Sequence, residues 1–217
     1  EELLHTLELS FRHNARLHEH VRFLYSNGSM YKCCNSNLLY HGCIPMTENR
    51  EFDGLMVGGK MYRGKELMDF IDTQVKNAYF LPEDAPEKEA CRDFMWYLWN
   101  GAKSPVFGKD KNRSFEHYFI EDPEVMRETM NPYYQLSEEE ETCDMILKEF
   151  GLPTKGSHII NGHMPVKIKS GETPIRAGGK LFIIDGGLSK AYQERTGIAG
   201  YTLIFNSHHL ALAEHKP

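Results

Sequence analysis

His158-Ile-Ile160 runs into Asn161-Gly-His-Met-Pro-Val-Lys167, and far upstream Leu38-Leu-Tyr40 runs into His41-Gly-Cys-Ile-Pro45. Each stretch is a short apolar run that delivers a histidine at its exit, beside a glycine. Such runs read as buried strands. A histidine at a strand exit has its imidazole fixed in direction, and neutral imidazole is the commonest protein donor to transition metals. The bland alternative is a structural histidine with its hydrogen bonds satisfied, which is the more frequent case for one histidine alone. Two in the same context make His41 and His163 candidate metal ligands. They form half a site, because no D-x-H, G-D-x-x-D or G-N-H supplies partners anywhere in the chain.

Working outward, the texture after Ser157 is β, with strands expected at 157–161, 180–185, 200–206 and 210–213. The last two are joined by a turn at Asn206-Ser-His208. The first part is more helical. Residues 1 to about 26 carry Leu3, Leu7, Phe11, Leu17, Val21 and Leu24 near helical spacing, stopped by Ser26-Asn-Gly28. A strand over 38–43 is followed by a glycine-rich loop over 45–64, with a short strand at 60–62. A helix then carries Leu67, Ile71 and Val75. Pro86 suits the first turn of the next helix, where Cys91, Phe94, Met95 and Leu98 form a stripe. Ser137-Glu-Glu-Glu140 reads as a capping box opening a helix that ends at Gly151. Helices mixed with strands, then mostly strands, predict one α+β or α/β domain over 1–217.

The 217 residues are 41% hydrophobic and 26% charged, an ordinary balance for a globular chain. A net charge of −6 argues against a nucleic-acid footprint. No apolar run reaches membrane-spanning length, so neither nucleic acid nor membrane is expected as a partner. The five cysteines lack C-x-x-C spacing and read as reduced thiols of a cytoplasmic protein. The chain opens at Glu1, directly in a helical pattern, as a piece of a longer protein would.

Basic residues cluster at Lys103, Lys109, Lys111 and Arg113, in a Gly- and Pro-punctuated loop over 100–113. This suits a small anion better than a duplex. Arg113 could clamp a phosphate through both guanidinium arms, against the plainer reading of a solvated loop. Gly54-Leu-Met-Val-Gly-Gly-Lys60 fits G-x-x-x-x-G-K, but Met61 stands where a hydroxyl should hold Mg²⁺, so it is set aside as a decoy. Asp185-Gly-Gly187 reads as a tight turn at a strand end; a functional role for Asp185 stays open, unsupported by spacing alone. No nucleophile elbow is present.

Leu39-Tyr-His-Gly-Cys-Ile-Pro45, Trp96-Tyr-Leu-Trp99, Lys103-Ser-Pro-Val-Phe-Gly108 and Asn131-Pro-Tyr-Tyr134 resemble class III fructose-1,6-bisphosphatases. So do Asn161 to Lys167, Ala177-Gly-Gly-Lys-Leu181, Asp185-Gly-Gly187 and Thr196-Gly-Ile-Ala-Gly-Tyr-Thr202. The resemblance covers essentially the whole chain. It implies a calcineurin-like metallophosphoesterase fold, here part of a β-sandwich with flanking helices. It also implies hydrolysis of the 1-phosphate of fructose 1,6-bisphosphate in gluconeogenesis, at two metals, commonly Mn²⁺. His41 corresponds to the superfamily's lone histidine and His163 to its G-H motif, with Met164-Pro165 where some members carry a further histidine. Arg113 corresponds to a phosphate-binding arginine, and Lys103, Lys109 and Lys111 would bind substrate. The first three metal motifs are missing. The chain therefore resembles the C-terminal portion of the catalytic region, with an incomplete dinuclear centre and no activity expected alone. The partner implied is a sugar bisphosphate, and a homo-oligomer stays open. Other readings are a phosphoprotein or nucleotide phosphatase of the superfamily, or a non-catalytic binding or oligomerisation module.

Overall fold

Five short segments from both halves of the chain assemble into one mixed sheet, and their order decides what lies at its edge. The computed structural model describes residues 1–216. Its helices are α1 (Glu2–Arg12), α2 (Ala15–Asn27), α3 (Gly64–Phe80), α4 (Lys88–Asn100), α5 (Tyr133–Leu136), α6 (Glu140–Glu149) and α7 (Lys190–Thr196). The strands are β1 (Tyr31–Cys34), β2 (Asn37–Tyr40), β3 (Gly54–Val57), β4 (Lys60–Arg63), β5 (His158–Asn161), β6 (Ile175–Arg176), β7 (Leu181–Ile183), β8 (Gly200–Phe205) and β9 (Leu210–His215). The large sheet has the order β1-β2-β5-β7-β6, while β3-β4 and β8-β9 form separate two-stranded ribbons. Strands β2, β5 and β7 run parallel, and β1 and β6 close the two edges antiparallel. The fold is α+β, as the mixture of elements predicts.

The central strands are apolar because both faces are covered. Leu38, Ile159 and Leu181 are buried in one core with Ile146 and Leu147 of α6, Val166 and Tyr133. Burying side chains of this size contributes roughly 1.5–3 kcal/mol each. A second cluster joins Leu67 and Ile71 of α3 to Leu98 of α4, with Phe70 and Phe94 packed against it. In the expected α4 stripe, Cys91 and Leu98 are buried and Phe94 and Met95 half-buried.

Several local expectations are corrected. The first helical stretch is two helices, because Asn14 stops α1 and caps α2 by accepting from the Leu17 N–H. Strand β2 ends at Tyr40 rather than 43, so His41 stands just outside it. Ser137 caps no helix N-terminus. It sits at the end of α5, and α6 starts at Glu140. Helix α4 starts at Lys88, two residues beyond Pro86. The loop over 45–64 contains the β3–β4 hairpin, whose Val57–Lys60 pair is closed by Gly58 and Gly59, both at positive φ. That hairpin is what the decoy G-x-x-x-x-G-K folds into. Strand β1 and helix α7 had no expectation. Asn35 and Ser36, both at positive φ, turn β1 into β2 in the manner of a type I′ hairpin.

Candidate metal centre

Three parallel strands deliver three side chains to one edge. Strand β2 exits into His41, β5 into Gly162-His163, and β7 into Ile184-Asp185. The register pairs Leu39 with Ile160 and Asn161 with Ile183, so the exits lie level. Beyond the strand ends the backbone stays stitched. Gly162 N–H donates to the His41 carbonyl at 2.9 Å, Ile184 N–H to the Asn161 carbonyl at 2.9 Å, and Val166 N–H to the Asp185 carbonyl at 2.8 Å. The carboxyl edge of parallel strands is where open α/β sheets bind ligands. Here His41, His163 and Asp185 line a cavity of about 770 Å³, walled also by Tyr31, Val106 and Tyr201.

His41 Nε2 lies 3.2 Å from His163 Nδ1, with the rings edge to face at 74°. The other nitrogen of His163, Nε2, donates to the Phe107 carbonyl at 3.1 Å, which leaves Nδ1 as a lone pair aimed at His41. A carbonyl behind a ligating imidazole is the usual way its tautomer and orientation are fixed. Burial is the main influence lowering the His163 pKa below its ordinary value, followed by His41. Lys109 also lowers it, while the Phe107 hydrogen bond and Asp185 oppose the shift. The neutral form needed for ligation is thereby favoured. His163 holds φ at 64°, a conformation uncommon outside glycine.

The separation is that of a direct imidazole–imidazole hydrogen bond, and it is also one that two ligands of a single transition metal would show. Two nitrogens at about 2.1 Å from one ion stand about 3.0–3.4 Å apart for angles between octahedral and tetrahedral. The observed separation lies within that range. Asp185 is half-buried in the same cavity, and one of its oxygens accepts from the Gly187 N–H at 2.9 Å, which makes the expected tight turn. Among the described residues, no group of three or more His, Cys, Asp or Glu side chains is placed to hold a metal.

The basic loop is divided. Pro105 and Val106 reach the wall of the histidine cavity, and the Phe107 carbonyl touches His163. Lys103 and Lys109 instead line a second cavity of about 580 Å³ with Asp110 and Asn131. Both are already paired, Lys103 with Asp53 at 3.0 Å and Lys109 with Glu128 at 2.7 Å. Arg113 shares Glu128 at 3.4 Å and also donates to the Met126 carbonyl. It lines neither of these two cavities. Lys111 is half-buried and makes no ion pair among the described residues. The structure thus joins His41 to His163 and links Lys109 to Arg113 through one carboxylate, but it does not bring the four basic side chains onto the imidazoles.

Sequence reasoning passed over three contributors to this edge, Phe107, Tyr133 and Asn161, and left a fourth, Asp185, without support. Phe107 acts through its carbonyl, which leaves no trace in side-chain identity. Asp185 stood at a strand exit just as the histidines do, and that placement was the available signal. Tyr133 and Asn161, buried beneath the pair, carried no signal apart from standing in the motifs that bear the resemblance.

The sequence profile of the Firmicute fructose-1,6-bisphosphatases matches residues 1–217. The chain is 53% identical over 217 residues to a class 3 fructose-1,6-bisphosphatase of Clostridium beijerinckii, covering 100% of this chain and 33% of that protein. It is 50% identical to the class 3 enzyme of Finegoldia magna over 216 residues, and 50% identical to that of Bacteroides fragilis over 217, with the same coverage. No solved structure matches. The chain belongs to the Firmicute fructose-1,6-bisphosphatase family. It spans about a third of the length of the curated relatives it matches.

Proposed function

We propose that this chain forms part of a fructose 1,6-bisphosphate 1-phosphatase, a phosphoric monoester hydrolase acting in the cytoplasm. The observation that carries this reading is the imidazole pair at the carboxyl edge of the sheet, 3.2 Å apart and oriented from behind by a carbonyl. His41 and His163 would hold Mn²⁺ in a dinuclear centre whose remaining ligands lie outside these residues. When bound, Mn²⁺ supplies positive charge that polarises a phosphoryl group and acidifies water at neutral pH. The chain's own contribution is positional. Phe107 holds the His163 tautomer, and the parallel strand ends hold the two rings level. Arg113, Lys103, Lys109 and Lys111 would neutralise substrate phosphates, after Asp53 and Glu128 yield their present partners.

The test is Mn²⁺-dependent phosphate release from fructose 1,6-bisphosphate, comparing these 217 residues with a protein extended to the length of the relatives. Activity confined to the extended protein is the expected result. Activity of the 217 residues alone would mean a complete site within them. Silence from both, with metal supplied, would turn the reading toward another phosphate ester or a binding role.

A further inference from the structure

A fully buried phenol and a buried amide lie directly under the two histidine-bearing turns. The Tyr133 side chain is 0% exposed, and its hydroxyl meets the Tyr40 hydroxyl at 2.6 Å and accepts from Asn161 Nδ2 at 2.8 Å. The same Nδ2 reaches the Gly42 carbonyl at 3.4 Å. Tyr40 and Gly42 flank His41, and Asn161 precedes Gly162-His163. One small network therefore grips both turns. We propose that Tyr133 and Asn161 are positioning residues that set the separation and aim of His41 and His163, an inference that rests on the metal reading above.

Three further observations point the same way. The Asn161 side-chain oxygen is buried without a hydrogen-bond partner. An unpaired buried acceptor is costly, and the two Nδ2 bonds are what offset that cost at this position. Next, His163 keeps a strained backbone two residues beyond Asn161. Strain of this kind persists only where the surroundings over-determine it, and the His163–Phe107 bond on one side and the Asn161 bonds to Tyr133 and Gly42 on the other bracket this stretch of backbone. Finally, Tyr133 is itself anchored. Asn131 Oδ1 accepts from the Tyr133 N–H at 3.0 Å and from the Met46 N–H at 3.1 Å, fixing the start of α5 against the loop that follows β2.

The experiment titrates a protein extended to the length of the relatives, and its Tyr133→Phe variant, with Mn²⁺, following paramagnetic broadening of the His41 and His163 ring-proton NMR signals. Melting temperatures are measured without metal. Tyr133→Phe should need about tenfold or more Mn²⁺ for half-broadening, the scale of outer-shell losses. An unchanged midpoint, even with a lowered melting temperature, would overturn the proposal, because a merely structural hydroxyl would produce that pattern. Should Tyr133→Phe fail to fold, Tyr40→Phe removes one bond of the network and leaves the Asn161–Tyr133 bond. It should shift the midpoint severalfold, and no shift overturns the proposal. If neither histidine of the unsubstituted extended protein is broadened at millimolar Mn²⁺, the metal reading itself fails and takes this inference with it.

Discussion

Gly42 and the Pro105 carbonyl oxygen are so close that a Cβ on Gly42 would sit 2.3 Å from that oxygen. The approach brings the basic loop onto the exit of β2, where the Cys43 N–H donates to the same carbonyl at 2.9 Å. Gly162, the glycine beside the other histidine, is different. A Cβ there would meet the Asp185 Cβ at 3.6 Å and the His41 carbonyl oxygen at 3.7 Å, which are ordinary contacts. Gly42→Ala should destabilise the chain by about 1–3 kcal/mol, the usual cost of forcing an extra group into packed backbone. Gly162→Ala should be neutral or stabilising by up to about 1 kcal/mol through the unfolded chain. Urea unfolding of the two variants checks the contrast, and equal losses would contradict it.

His163→Ala in the intact enzyme should lower Mn²⁺-dependent phosphatase activity at least about tenfold, the scale of a disturbed metal site. Steady-state phosphate release across a Mn²⁺ series is the measurement. Full activity at saturating Mn²⁺ would remove His163 from the centre.

Arg113 carries a prediction about geometry rather than charge. If its guanidinium grips a phosphate with both arms, Arg113→Lys should lose nearly as much kcat/KM as Arg113→Ala, about tenfold or more in each case. A lysine variant as good as the parent would reduce the role of Arg113 to charge alone.

The thiols should divide two to three. Cys33 and Cys34 are exposed on β1, whereas Cys43, Cys91 and Cys143 are buried. Burial pushes the Cys43 and Cys143 thiols up to about 12. Alkylation of the folded chain near pH 8 should modify two thiols, and all five after denaturation. Mass spectrometry counts the adducts, and rapid labelling of Cys43 in the folded chain would contradict this packing.

Legibility in the sequence followed burial. Leu38-Leu-Tyr40 and His158-Ile-Ile160 were readable as strands because both faces of the sheet are covered and the runs are continuously apolar. Their exits gave His41 and His163 directly. Strand β1 was missed because Lys32, Cys33 and Cys34 are exposed on an edge, leaving no apolar run to see. The Ser137 capping box failed because α5 claims that serine for its own last turn, a competition that residue spacing alone cannot settle. The basic loop was legible as basic, but not as divided. Lys103 and Lys109 are held by Asp53 and Glu128, which lie 50 and 19 residues away along the chain. The Phe107 contact is made by backbone, and every residue type has that carbonyl.

His41 and His163 stand 122 positions apart in sequence, at the exits of two strands that pair side by side. Closing a loop of that length must be met in chain entropy before any contact at its ends can repay it, and pairings of this kind form late and slowly. The bite between the two imidazoles therefore cannot pre-exist in a partly folded chain: it arises when β2 finds β5. If the pair takes metal as proposed, that capture would report completed topology, and its arrival during refolding would time the moment at which the two halves of the sequence meet.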